Sequence, residues 1–141
     1  MSERYTRRRL LAAGGAVATA GLAGCTAGGS SGDYDVGMTA VAFDPLEVTV
    51  AVGDEVVWRN TSSRGHTVTA YEARIPESAT YFASGGFDSQ QAAYGAWTER
   101  LGGLIDGGER YAHTFETPGT HHYYCIPHEG AGMVGRVVVE E

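Results

Sequence analysis

Hydrophobic positions recur at every second residue through much of the chain. Leu46, Val48, Val50 and Val52 alternate with Glu47, Thr49 and Ala51, the pattern of a strand with one buried face. Gly53-Asp54 marks a turn, after which Val56 and Trp58 alternate with Glu55, Val57 and Arg59. Residues 67–71, 111–116, 120–125 and 134–140 repeat the pattern, parted by turn signals such as Gly107-Gly108 and Pro118-Gly119. Pro45 suits a strand start or edge, because it has no N–H to give a ladder. None of these segments has helical periodicity. Many short strands separated by turns predict an all-β fold, an antiparallel β-sandwich over residues 35–141.

One stretch departs from the pattern. Residues 72–110 are long for a connection and read as an excursion from the sandwich. Asp88-Ser89-Gln90-Gln91 has the form of a capping box, with Asp88 at the N-cap and Gln91 three residues on. Phe87 and Ala92 would form the flanking apolar staple. The spacing predicts one short helix over about residues 89–97. Tyr81, Phe82, Phe87, Tyr94 and Trp97 are expected to pack against the sandwich.

The beginning of the chain has another design. Thr6-Arg7-Arg8-Arg9 precedes an uncharged run from Leu10 to Gly24, shorter than the roughly 20 residues a spanning helix needs. This layout is that of an export signal, and its adjacent arginines resemble the twin-arginine type. Leu22-Ala23-Gly24-Cys25 resembles a lipobox, which makes Cys25 the expected site of lipidation. Thr26 to Gly32 contains only Gly, Ser, Thr and Ala, a flexible tether. The expected organisation is a signal peptide over 1–24, a lipid-attached linker over 25–34 and one folded domain over 35–141. That places the domain on the extracytoplasmic face of the cell membrane.

Charge sharpens the picture once this leader is set aside. From residue 25 onward, six arginines face sixteen acidic residues, a net of −10, and the chain has no lysine. Such a surface repels phosphate and excludes nucleic-acid binding as a function. An acidic, lysine-free surface also fits a protein working in high salt, where like-charge repulsion is screened within about 3 Å at 1 M. The two cysteines, Cys25 and Cys125, are far apart and form no CxxC pattern, so neither a disulfide framework nor a zinc motif is indicated.

Chemistry concentrates in Cys125-Ile126-Pro127-His128-Glu129-Gly130-Ala131-Gly132-Met133. This loop offers a thiolate, an imidazole and a thioether. Soft sulfur with imidazole suits copper, and two His with one Cys and a weak axial Met define a blue-copper site. The second His must come from elsewhere. His121 and His122 are adjacent on a strand and face opposite ways. His121 shares the face of Cys125 but lies about 13 Å away along the strand. A hydrogen-bonded, partly buried role suits His121 and His113, and an exposed one His122. His66, after the polar loop Asn60-Thr61-Ser62-Ser63-Arg64-Gly65, is the best candidate for the second imidazole.

The pattern His66 … Cys125-x2-His128-x4-Met133 resembles that of the cupredoxins, the small blue-copper proteins, with the loop spacing of plastocyanin and pseudoazurin. Phe43-Asp44-Pro45, Val56-Val57-Trp58, Pro118-Gly119-Thr120 and Tyr124-Cys125-Ile126-Pro127-His128 are similar to plastocyanin-like sequences. The leader, lipobox and acidity resemble those of the membrane-attached haloarchaeal members. The resemblance implies a Greek-key sandwich holding one type 1 copper ion through His66, Cys125, His128 and Met133. It implies a one-electron carrier in a respiratory-type chain, monomeric, with redox proteins as partners and no small-molecule substrate. The exposed edge of His128 is then the electron port, and Tyr124 a second one. Plastocyanins carry an Asn, bonded toward the cysteine sulfur, where this chain has Thr67. The alternative is a copper carrier or store that delivers metal to another protein. Such carriers tend to use exposed Met/His-rich or CxxC sites, whereas only one of the three methionines here, Met133, lies near other ligands. Nothing in the sequence suggests catalytic machinery.

Overall fold

The computed structural model describes residues 33–141. The expected signal peptide, Cys25 and the linker up to residue 32 lie outside the described residues.

Alternation becomes pairing as expected, because a period of two puts one row of side chains on each face. The strands are β1 (Val36–Met38), β2 (Phe43–Asp44), β3 (Glu47–Ala51), β4 (Glu55–Asn60), β5 (Thr69–Ala70), β6 (Arg110–Thr114), β7 (Gly119–Tyr124) and β8 (Val134–Glu140). They form two four-stranded sheets, ordered β2-β1-β4-β6 and β3-β8-β7-β5. The expected sandwich is present, though its sheets are mixed. β1 runs parallel to β4, and β3 runs parallel to β8. Every other strand pair is antiparallel. Period-two patterning is the same for both kinds of pair, so it could not separate them.

Trp58 on β4 is the centre of the core. Its ring is fully buried and lies 5.3–6.3 Å from the rings of Phe82, Tyr111, Phe115 and Tyr123. Phe82 comes from the excursion, so this segment fills the sandwich as expected. Tyr94, by contrast, is exposed. Leu46 and Val52 are also exposed, at 46% and 41%. They lie just outside the two ends of β3.

After a 3₁₀ turn at Glu72–Arg74 the excursion forms one α-helix, α1 (Gln90–Arg100), which begins one residue later than the capping box predicts and runs three residues further. Ser89, not Asp88, is the N-cap, and its hydroxyl accepts from the N–H of Ala92 at 3.1 Å. Either residue can cap, and Ser89 is the one with extended φ/ψ next to the helical turn. The helix packs through its small residues, Ala93 and Ala96, which are buried. It ends at Leu101 with φ 58°, while Leu101 and Gly102 donate to the carbonyls of Trp97 and Ala96. A left-handed conformation is costly for a residue with a Cβ, and Leu101 is 54% exposed, so packing returns little. Leu101→Gly is therefore expected to stabilise the domain by about 0.5–1 kcal/mol, read as a higher urea midpoint with an unchanged m-value.

Candidate metal centre

Three elements bring the predicted ligands to one end of the sandwich. His66 follows the loop that leaves β4. It is pinned by a two-way backbone bridge to Ile105, with N–H to O distances of 3.2 and 2.8 Å. Cys125 follows β7 directly. A 3₁₀ turn over Ile126–Ala131 then folds the chain back, with Pro127 in its first turn, where a missing N–H costs nothing. Gly132 reverses direction at φ 85°, a conformation that favours glycine. Cys125 N–H donates to the Met133 carbonyl at 3.1 Å, and Met133 N–H to the His128 carbonyl at 3.2 Å. The loop is thus closed by its own backbone at both ligand-bearing ends.

The side chains converge. Cys125 Sγ is 3.5 Å from His66 Nδ1 and 3.4 Å from His128 Nδ1. The three ligand atoms all lie within 4.8 Å of one another. Two imidazole nitrogens and a thiol sulfur this close together form a donor set that would fit one soft metal ion. His66, Cys125 and Met133 have no exposed surface, while His128 is half-buried. Burial lowers the pKa of both imidazoles, and for His66 the neighbouring His128 lowers it further. Both therefore favour the neutral form that offers a lone pair. Burial pushes the Cys125 thiol up, partly offset by the N–H of Thr67.

Thr67, where plastocyanins have Asn, still provides a donor to the sulfur. Its backbone N–H points at Cys125 Sγ at 3.4 Å. Its hydroxyl acts elsewhere, accepting from the N–H of Ile126 at 2.9 Å and bonding the Thr69 hydroxyl at 3.1 Å. The side chain clamps the start of the ligand loop to the strand carrying His66.

The other histidines stand apart from this site. His121 is buried and its Nε2 donates to the Thr117 carbonyl at 2.9 Å. His113 is half-buried, stacked on Phe82 at 4.9 Å between ring centres. The expectation of an exposed His122 is corrected: it is half-buried, because β7 is an interior strand and the turn after Tyr71 lies beside it. Tyr124 is also not at the surface. It is 2% exposed, stacked under Tyr71 at 4.3 Å and bonded by Gln90 of α1 at 3.3 Å. Tyr71 in turn donates to Glu129 of the ligand loop at 2.6 Å. These covering residues carry no sequence signal of their own, since each contact joins distant segments. The polar loop before His66 was the one available clue to the groups that hold its ring.

Comparison with known proteins agrees with this geometry. The family model of copper binding proteins, plastocyanin/azurin family, matches residues 31–140. Plastocyanin of Rumex obtusifolius is 37% identical over 101 residues, covering 72% of this chain and 90% of that protein. The chloroplastic plastocyanin of Tetradesmus obliquus is 33% identical over 101 residues, 72% of this chain and 60% of that protein. The minor chloroplastic isoform of Arabidopsis thaliana is 35% identical, and the match spans 52% of it. The chain thus spans about half to three-fifths of those two longer relatives. Among solved structures, an oxidised point mutant of amicyanin superposes with a TM-score of 0.56 at 25% identity, covering 79% of this chain and 85% of that one. A purple cupredoxin from Nitrosopumilus maritimus has the same fold, with a TM-score of 0.52 at 23% identity, covering 77% of this chain and all of the other.

Proposed function

Because the chain belongs to the plastocyanin/azurin family of copper-binding proteins, we propose that it is a one-electron carrier. Its copper ligands are His66, Cys125, His128 and Met133. Copper held by these residues would supply a Cu(II)/Cu(I) couple for one-electron transfer. The observation that carries the reading is the uneven burial of the ligands. Three are sealed from solvent, and only His128 reaches the surface. Such a site lets electrons cross while retaining its ion.

The residues around His128 suit brief contact with a partner. Pro127, Gly130, Ala131 and Gly132 are exposed, small or rigid, and uncharged, while the exposed Glu129 among them is held by the Tyr71 hydroxyl. A partner can therefore bring its own centre close to the imidazole edge without displacing long side chains. We place the electron port at His128 alone, since Tyr124 is covered by Tyr71 and Gln90. The net charge of −10 beyond the leader favours basic docking surfaces on redox proteins, with little long-range steering in concentrated salt.

The finer reading is a halocyanin-like protein: exported by a twin-arginine-type signal, lipidated at Cys25 and working on the outer face of the membrane in a respiratory-type chain. It rests on the sequence of residues 1–32 and on the lysine-free acidity. Radiolabelled lipid incorporation that vanishes in Cys25→Ala supports it.

One experiment separates electron carrier from metal carrier. The copper-loaded chain is cycled between oxidised and reduced forms with a soluble redox protein while a Cu(I) chelator is present. An electron carrier bleaches and recovers its colour repeatedly with its copper retained. Loss of copper to the chelator during the first reduction would overturn the proposal in favour of metal delivery.

A further inference from the structure

We propose that Ser62 and Asn60 set the tautomer of His66, so that its Nδ1 lone pair is ready for copper before copper arrives. The inference rests on the copper-binding reading of the site and concerns residues outside the ligand set.

A neutral imidazole carries one N–H and can place it on either nitrogen. His66 must leave Nδ1 bare, because Nδ1 faces Cys125 Sγ at 3.5 Å. Its other nitrogen, Nε2, lies 3.1 Å from the Ser62 hydroxyl. That contact alone leaves the direction open, since a hydroxyl can give or accept. Asn60 closes the question. Its amide nitrogen donates to the carbonyls of Arg64 at 2.6 Å and Ile105 at 2.9 Å, groups that only accept. Its Oδ1 therefore faces Ser62 and accepts from that residue's N–H at 2.9 Å. The same Oδ1 is 2.7 Å from Ser62 Oγ, a distance two oxygens hold only with a proton between them. The Ser62 proton thus points to Asn60 rather than to the Arg64 carbonyl, which is 3.4 Å away, and the hydroxyl oxygen accepts from Arg64 N–H at 3.2 Å and from His66 Nε2–H. One donor and two acceptor positions are then all used.

The relay is built into the fold. Asn60 is the last residue of β4 and is 1% exposed. Its backbone bonds Glu109 and Gly108 across the sheet end at 2.9 and 2.8 Å. Ile105, which it binds by its side chain, is the residue that bridges His66. The amide therefore senses the same backbone that positions the ligand. A group bonded to the far nitrogen of a ligating imidazole fixes both ring orientation and basicity.

The test uses the full chain with Ser62→Ala, Ser62→Thr and the neighbouring Ser63→Ala. Nitrogen NMR of the copper-free protein reads the His66 tautomer directly. Competition titration with a chromophoric chelator reads Cu(II) affinity, and the visible band reads the electronic environment. Ser62→Ala is expected to give a mixture of tautomers and about a tenfold loss of affinity, with a shifted band. Ser62→Thr and Ser63→Ala should match the parent in all three. An unchanged tautomer and affinity in Ser62→Ala overturns the proposal. So does an equal loss in Ser62→Thr accompanied by a lowered melting temperature, since that would mark a packing effect. If the parent chain itself fails to bind copper, the copper reading falls, and the NMR result still decides the tautomer question on its own.

Discussion

Titrated with Cu(II), a Cys125→Ser chain is expected to remain pale, whereas the parent turns intensely blue. The colour requires a sulfur-to-copper charge transfer, and Cys125 is the free, fully buried thiol among the described residues. The serine hydroxyl is a harder donor that holds its proton near neutral pH, so it supplies neither the absorption nor the negative charge. Thiolates are the ligands that select for soft copper. Loss of a direct ligand should weaken binding by at least about 100-fold, the upper end of what loss of a supporting group alone does. Serine fits the space, and the Thr67 N–H that faces the sulfur can face its oxygen instead. Far-ultraviolet circular dichroism should therefore stay that of the parent. The measurement is the visible spectrum during titration together with bound copper after gel filtration. A blue band that survives the substitution would refute the ligand assignment.

Thr67→Val is expected to cost about 2 kcal/mol of stability in the copper-free chain. Valine matches the shape of threonine but offers no oxygen to Ile126 N–H and no partner to the Thr69 hydroxyl. Thr67 and Thr69 are each 1% exposed, and a buried donor left without an acceptor costs about 1–3 kcal/mol. In a domain of this size that corresponds to a fall in melting temperature of about 10 °C. The backbone N–H of Thr67, at 3.4 Å from Cys125 Sγ, is untouched. The copper form of the variant should accordingly stay blue, with a band close to that of the parent. Calorimetry of the copper-free chain and a spectrum of the loaded one check the two halves of this expectation. A variant as stable as the parent would mean that the hydroxyl does not clamp the loop.

The site was more legible in the sequence than the structure around it. Cys125, His128 and Met133 announce themselves because they are close in sequence and chemically unlike their neighbours. His66 could be chosen because strand geometry removed His121 and His122 as partners for Cys125. The groups that support the ligands were not legible, since each acts across a long sequence gap. Thr67 meets Ile126 over 59 residues, and Asn60 meets Ile105 over 45. A threonine or an asparagine gives no sign of which distant N–H or carbonyl it will face. The burial of Tyr124 has the same origin. Alternation in β7 put Tyr124 on the face opposite Cys125, and it is covered by Tyr71, just after β5, and by Gln90 of the excursion. The capping box mistook Asp88 for Ser89 because two adjacent residues can both cap, and backbone torsion decides between them. Strand alternation located the sheets but carried no information on direction, and so the parallel pairs β1–β4 and β3–β8 were invisible to it.

The place of β8 has a consequence for when the protein can take its shape. Val134–Glu140 lies inside its sheet, bonded to β3 on one side and β7 on the other. A chain emerging from the ribosome presents β3 some ninety residues before the strand that must lie between it and β7. Until residue 140 is free, β3 and β7 have an empty lane between them, and Met133 has no frame to hold it. The sheet is therefore continuous from β3 to β7 only once β8 has been made. Completion of this sheet is thereby deferred until synthesis has passed the whole ligand set.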